Sequence, residues 1–388
     1  MKDKKFKLIV WGIVILLFSF IGGNILFNKF YKIKYESMDT VDKEMFDDLS
    51  NIYKEFENNK NDIWNGFNFE KEPLIVIRTF NDKGIIRKYS YAINVDGIDN
   101  SIFAKKINMP ESIKLPEVYR LSSLYPNLIT TMLPDNFGTI EIDKINTIYF
   151  KYYSEMITNP KSNHDFSSFL LHESFHICKQ KEWTYDKDND GSIVLDFPNN
   201  KENYALMGIE FLLLDKCLET DNKDDIEKYL KDLITIRTYR YDKWPQLKTI
   251  SNIEAIEGTA TYLPEKINSL MNGELINNNE EKIKYSDALK YLSNLNKISM
   301  ITFEKSIYYN TGSSLGFIMD ELGINWKYNI EDSKDKDGET QYEILKSYFN
   351  IDNKDISSEN IKNIEIENNY DELLKQGEKI AEIVKQSQ

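Results

Sequence analysis

Residues 8–27 run Leu-Ile-Val-Trp-Gly-Ile-Val-Ile-Leu-Leu-Phe-Ser-Phe-Ile-Gly-Gly-Asn-Ile-Leu-Phe. Twenty mostly apolar residues in a helix rise about 30 Å, enough to cross a bilayer. The chain then turns polar over 29–45, which reads as a juxtamembrane spacer, and residues 46–60 have the spacing of a short amphipathic helix. From Pro73 the period changes to that of strands. Leu74–Phe80 and Gly84–Val95 read as strands joined at Asp82-Lys83-Gly84. Residues 110–135 carry Pro110, Pro116, Pro126 and Pro134 and read as loop, and Thr139–Tyr153 alternates as a further strand. Beyond residue 165 the apolar spacing becomes helical. The first helix has Asp165 or Ser167 as its cap, with Phe166, Phe169, Leu170, Phe175 and Ile177 to bury. Later helices are expected over roughly 202–219, 223–242, 250–271, 285–294, 299–322, 339–349 and 369–386. The pattern predicts an α+β chain: an anchor over 1–28, the spacer over 29–45, a mixed α/β region with a small sheet over 46–155, and a mainly helical region over 156–388.

Charge refines this picture in three ways. Lys2, Lys4, Lys5 and Lys7 precede the apolar run, which favours a cytoplasmic N-terminus, although Lys29, Lys32 and Lys34 follow it. The reading is an uncleaved signal anchor, a single pass of the cell membrane with the remainder outside the cytoplasm. No A-x-A site is present, but Gly22-Gly23 leaves a cleaved signal peptide as the alternative. Across 388 residues, 49 Lys and Arg face 63 Asp and Glu, a net charge of −14. That balance argues against nucleic-acid binding, which needs a basic face. Cys178 and Cys217 are the two cysteines. Outside the cell they can pair, and two buried thiols fit equally well. Nothing in the sequence sets an oligomeric state.

The chemistry concentrates at Leu171-His172-Glu173-Ser174-Phe175-His176, which holds two of the three histidines in the chain. Residues four apart on a helix share a face, so His172 and His176 can grip one metal ion. Glu173 beside them can take a proton from water at that metal. Zinc is the expected ion, and a catalytic zinc needs a third protein ligand and one open position. His164, the remaining histidine, precedes the helix. Residues 177–182 read Ile-Cys-Lys-Gln-Lys-Glu, so the extended H-E-x-x-H-x-x-G-x-x-H form is absent. The third ligand is then expected to be a carboxylate further along. Glu257, Glu210 and Glu254 contend for the role. Glu210 and Glu254 are the better partners for Arg237 and Arg240, which lie three apart on one helical face.

With Glu257-Gly258-Thr259-Ala260-Thr261-Tyr262 downstream of the H-E-x-x-H motif, the sequence resembles the gluzincin class of zincin metallopeptidases. The resemblance rests on the two motifs and extends over about residues 165–325. It implies Glu257 as the third zinc ligand on a second helix. It also implies a zincin-like fold, in which a sheet lies against the metal helix and an edge strand pairs with an extended peptide or protein substrate. Gly258 and Ala260 would let the second helix approach the metal helix closely. Tyr308, Tyr309, Tyr262 and Arg240 are the candidates for stabilising the oxyanion. Two rival readings are an inactive zincin-like surface binding or scaffold protein, and a zinc hydrolase acting on a non-peptide amide. Asp186–Ser192 matches the start of a calcium loop, but the twelfth position is Phe197 where a glutamate is needed, so a solvated acidic loop is the preferred reading over a Ca2+ site.

Overall fold

A computed structural model describes residues 2–32, 34–159, 165–185, 193–272 and 284–387. The fold is mixed α/β and divides into two compact units, Met1–Lys179 with Ile267–Gly273, and Gln180–Lys266 with Glu274–Gln388.

The first unit opens with α1 (Lys2–Phe30), which contains the one stretch among the described residues, Lys4–Phe30, that is long and apolar enough to cross a membrane. Helix α2 (Thr40–Ile63) starts six residues earlier than its sequence pattern suggests. The reason lies in its buried face, which begins at Val41 and continues through Met45, Leu49, Ile52 and Phe56 at helical spacing. Six strands follow: β1 (Leu74–Thr79), β2 (Arg87–Ile93), β3 (Ala104–Ile107), β4 (Val118–Leu121), β5 (Phe137–Ile142) and β6 (Ile145–Tyr152). They form one sheet in the order β3-β4-β2-β1-β6-β5. β1 and β6 run parallel and the other neighbours antiparallel. The strand expected over 139–153 is a hairpin instead. Its two-residue turn places Asp143 at φ 48° and Lys144 at φ 71°, the left-handed pair that a tight antiparallel turn requires, here without a glycine. β3 and β4, four residues each, fall outside the predicted strands.

A buried polar cluster ties α2 to the sheet. The hydroxyls of Tyr91 and Tyr152 donate to the two carboxylate oxygens of Asp42 at 3.0 and 2.7 Å, and Arg78 Nε stands 3.8 Å away. Burial pushes the Asp42 carboxyl up, against the pull of these partners. After α3 (Ser154–Thr158) comes α4 (Phe166–Cys178), the helix of the histidine pair.

The second unit is helical throughout its named elements: α5 (Lys201–Leu218), α6 (Lys223–Lys243), α7 (Thr249–Ile253), α8 (Thr259–Asn272), α9 (Tyr285–Leu292), α10 (Ile307–Glu321), α11 (Trp326–Asn329), α12 (Gln341–Tyr348), α13 (Ser358–Glu367) and α14 (Tyr370–Ser387). The last residues of α8, from Ile267, group with the first unit. Asn200 caps α5 by accepting the Asn203 amide at 3.0 Å, and Thr340 with Glu343 forms a reciprocal cap on α12. The helix expected over 250–271 is interrupted by a π turn at Glu254–Gly258, and a second π turn, Thr302–Ser306, leads into α10. Gly258 and Gly312 cross in near contact, because a Cβ on Gly258 would lie 2.6 Å from Gly312 Cα. Gly258 therefore serves the approach of α10, where sequence reasoning assigned it to the metal helix. Gly316 on the same face admits Trp326 and Tyr262.

Candidate metal centre

Helix α4 is fixed before it carries any chemistry. Asp165 Oδ1 accepts the Ser168 amide at 3.1 Å, so Asp165 rather than Ser167 is the cap. Asp48 of α2, half-buried near Asp165, is pushed up to about 6 by burial, with Asp165, Asp47 and Glu44 adding to the effect. Aromatic rings hold the helix along its length. Phe166 packs on Phe150 and Tyr152 at 5.8 and 5.9 Å, Phe169 on Phe150 and Phe137 at 5.4 and 5.6 Å, and Phe175 on Trp64 and Phe67 at 4.8 and 5.4 Å. Leu170 and Leu171 are fully enclosed. These contacts leave a half-buried strip with His172, Glu173 and His176 on it.

The two imidazoles converge. His172 Nε2 and His176 Nε2 lie 3.1 Å apart. Two nitrogens each about 2.1 Å from one tetrahedral ion sit about 3.4 Å apart. The pair is thus within a few tenths of an ångström of a shared coordination edge.

The acidic candidates separate cleanly. Glu210 on α5 receives Arg237 Nε at 2.8 Å and Arg240 Nη1 at 2.5 Å. Glu254 receives Arg237 Nη1 at 2.8 Å and the Thr311 hydroxyl at 2.6 Å. All four charged groups are buried, two of each sign, so the cluster is neutral within itself. Burial works against the Arg237 charge, but Glu254 and Glu210 outweigh it and hold the guanidinium protonated. Burial likewise pushes the Glu254 carboxyl up, with Arg237 pulling it back.

Glu257, one turn on, stays half-buried and faces Lys305 Nζ at 3.1 Å. It lies inside the π turn, a local widening that often accompanies functional sites. His172 and His176 belong to the first unit and Glu257 to the second. The donor set, two imidazoles and a carboxylate, is one that zinc accepts.

Of the oxyanion candidates, Tyr262 donates to Asp320 Oδ2 at 2.5 Å, and Arg240 is engaged by Glu210. The Tyr308 hydroxyl is buried near the arginine–glutamate cluster, and burial raises it far above the ordinary phenol range. Tyr309 is half-buried, with Lys305 Nζ 5.7 Å from its ring centre. Sequence reasoning missed Lys305, and one lysine in a chain with 49 Lys and Arg carries no signal of its own. His164 and the acidic loop 186–192 lie outside the described residues. No disulfide joins Cys178 to Cys217. Cys217 is enclosed, and burial pushes its thiol up to about 12, the behaviour of an inert structural cysteine.

The chain matches no protein-family model, no curated protein and no solved structure.

Proposed function

We propose that this chain is a membrane-anchored zinc-dependent metallopeptidase with a zincin-like catalytic region. His172, His176 and Glu257 hold the ion. The observation that carries the proposal is the convergence of two imidazole nitrogens, 3.1 Å apart, on one face of α4. A zinc ion bound there supplies a Lewis acid that polarises a scissile carbonyl and acidifies water. Glu173 takes the proton from that water and passes it to the departing amine. A carboxylate has two oxygens, so Glu257 can hold a metal through one and keep Lys305 on the other. Lys305, 3.1 Å from Glu257, is a candidate for steadying the developing negative charge, beside Tyr309.

The substrate is a peptide or protein in extended form. Among the described residues β5 is an edge strand, the position that strand addition uses, and its Phe137 packs on Phe169 one turn before His172. The catalytic region lies on the extracytoplasmic side of the cell membrane, held by α1. The test is cleavage of a peptide library together with zinc content. Glu173→Gln retains zinc and loses about 10²–10⁴-fold in turnover, the range for a general base. His172→Ala loses both zinc and turnover. Full activity in Glu173→Gln removes the mechanism.

The Lys305 contact supports one other reading, an inactive zincin-like binding protein in which the ammonium takes the place of a cation beside Glu257. Under that reading, protein purified without chelator contains no zinc.

A further inference from the structure

Helix α1 does not end in a free tether. Asn24 accepts the Ser122 hydroxyl at 2.6 Å and donates to Ser123 Oγ at 3.3 Å. One turn later Asn28 donates to the Phe103 carbonyl at 2.8 Å and accepts Arg120 Nε at 2.8 Å. Arg120 also reaches the carbonyls of Asn28 and Tyr31 at 2.9 and 3.2 Å. From Tyr31 to Asn24 the helix therefore runs outward along β4, from Arg120 to Ser122, and its remaining apolar length projects past that end of the sheet.

The strand register defines what else emerges at this end. Thr79 pairs with Arg87, Ala104 with Leu121, Arg78 with Tyr152 and Phe137 with Phe150. The β1–β2 loop, the segment before β3 and the segment before β5 thus leave the sheet on the side from which α1 projects. Hydrogen bonds lace them together. Arg87 donates to the Ser123 carbonyl at 2.7 Å, Lys83 N to Asn136 Oδ1 at 2.8 Å, and Lys151 Nζ to the Leu133 carbonyl at 2.6 Å. These same segments carry Phe80, Ile85, Ile86, Ile102, Met132 and Leu133, all exposed, with Ile86 at 72% and Leu133 at 60%. Lys88 Nζ stands 4.9 Å from the Phe80 ring centre, an ammonium set back from an apolar tip.

Length gives the physical reason for this patch. Asn24 is already engaged by the sheet, and residues 8–23 beyond that contact rise about 24 Å at 1.5 Å per residue. A bilayer core is about 30 Å thick. The shortfall of about 6 Å matches the depth to which interfacial apolar surfaces embed.

We propose that the loops at this end of the sheet are a second membrane contact: their apolar side chains enter the lipid beside α1 and seat the first unit directly on the bilayer. The occupant is lipid, because the patch is continuous with the helix that crosses it and carries the exposed Lys83 and Lys88, which suit anionic headgroups. This rests on the membrane reading of α1 and is independent of the zinc site.

The experiment uses the full chain, in a Cys178→Ser background whose Cys217 is buried, reconstituted in phosphatidylcholine–phosphatidylglycerol vesicles. Single cysteines at Ile86 and Leu133 carry an environment-sensitive fluorophore. Leu17→Cys reports the anchor, and Asn146→Cys, exposed at the opposite end of the sheet, is the aqueous control. The expected result is blue-shifted emission at 86 and 133, quenched by lipids brominated high on the acyl chain, with iodide quenching several-fold weaker than at 146. Water-like emission at 86 and 133 with Leu17→Cys in lipid overturns the proposal and leaves the anchor standing. A blue shift without bromolipid quenching, growing with protein density, assigns the patch to a second copy and also overturns it. Water-like emission at 17 removes the anchor reading and this one with it.

Discussion

Glu210, Glu254 and Glu257 are glutamates in half-apolar helical runs, yet they meet different surroundings. The first two were legible as ion-pair partners, because a lone charge in an apolar stretch must find a counter-charge, and Arg237 and Arg240 share a face three residues apart. Which glutamate stays outside that network depends on the π turn, and nothing in the residue pattern announces a π turn. The assignment makes a ranked prediction. Glu210→Ala strands two buried guanidinium groups with one carboxylate between them, and costs about 3–5 kcal/mol of stability. Glu257→Ala takes a carboxylate from a part-exposed lysine, and changes stability by about 1 kcal/mol, well below the cost at the buried cluster. Zinc affinity moves the other way, falling sharply for Glu257→Ala and holding for Glu210→Ala wherever it remains folded. Thermal melts and zinc titrations on both variants check the pair, and the opposite ranking reassigns the third ligand. The histidine pair was the most legible feature, since helical periodicity alone places residues four apart together. Lys305 was illegible because its meaning comes from Glu257, distant in sequence.

At the scale of elements, long periodic helices could be read to within a few residues, as with α5, α6 and α14. Short strands could not. β3 has Lys105 and Lys106 at its centre, and β4 lies among prolines, so neither offers the alternation that identifies a half-buried strand. Their place in the sheet is set by β2, which pairs with β4 through Ser90–Leu121 to Ile93–Val118. The Gly258–Gly312 crossing is the element-level feature with the clearest consequence. A methyl at Gly258 meets backbone at 2.6 Å, and backbone has no rotamer to yield. Gly258→Ala is expected to destabilise the protein by about 1–3 kcal/mol, the usual cost of overpacking. Because Gly258 follows Glu257 directly, zinc affinity drops as well. Unchanged melting with unchanged zinc affinity would show that the crossing tolerates separation and that Glu257 does not depend on it.

At the scale of the whole molecule, the apolar run near the N-terminus was readable from composition, and α1 gives it a helical form. The polar stretch after it was less readable. Residues 29–45 look like a spacer because their charges dominate the composition, but Val41, Asp42 and Met45 are buried, and the segment takes part in the fold of the first unit. The lysines ahead of the helix favour a cytoplasmic N-terminus. Under the proposed topology, protease added to intact cells digests the chain beyond residue 35, and complete protection would put that part of the chain in the cytoplasm. The most direct test of the central claim is zinc K-edge X-ray absorption on full-length protein purified without chelator. The account predicts about one zinc per chain, with a shell of nitrogen and oxygen at about 2.0–2.2 Å and multiple-scattering features from two imidazoles. Absence of zinc, or a sulfur shell near about 2.3 Å from cysteine thiolate, would contradict it.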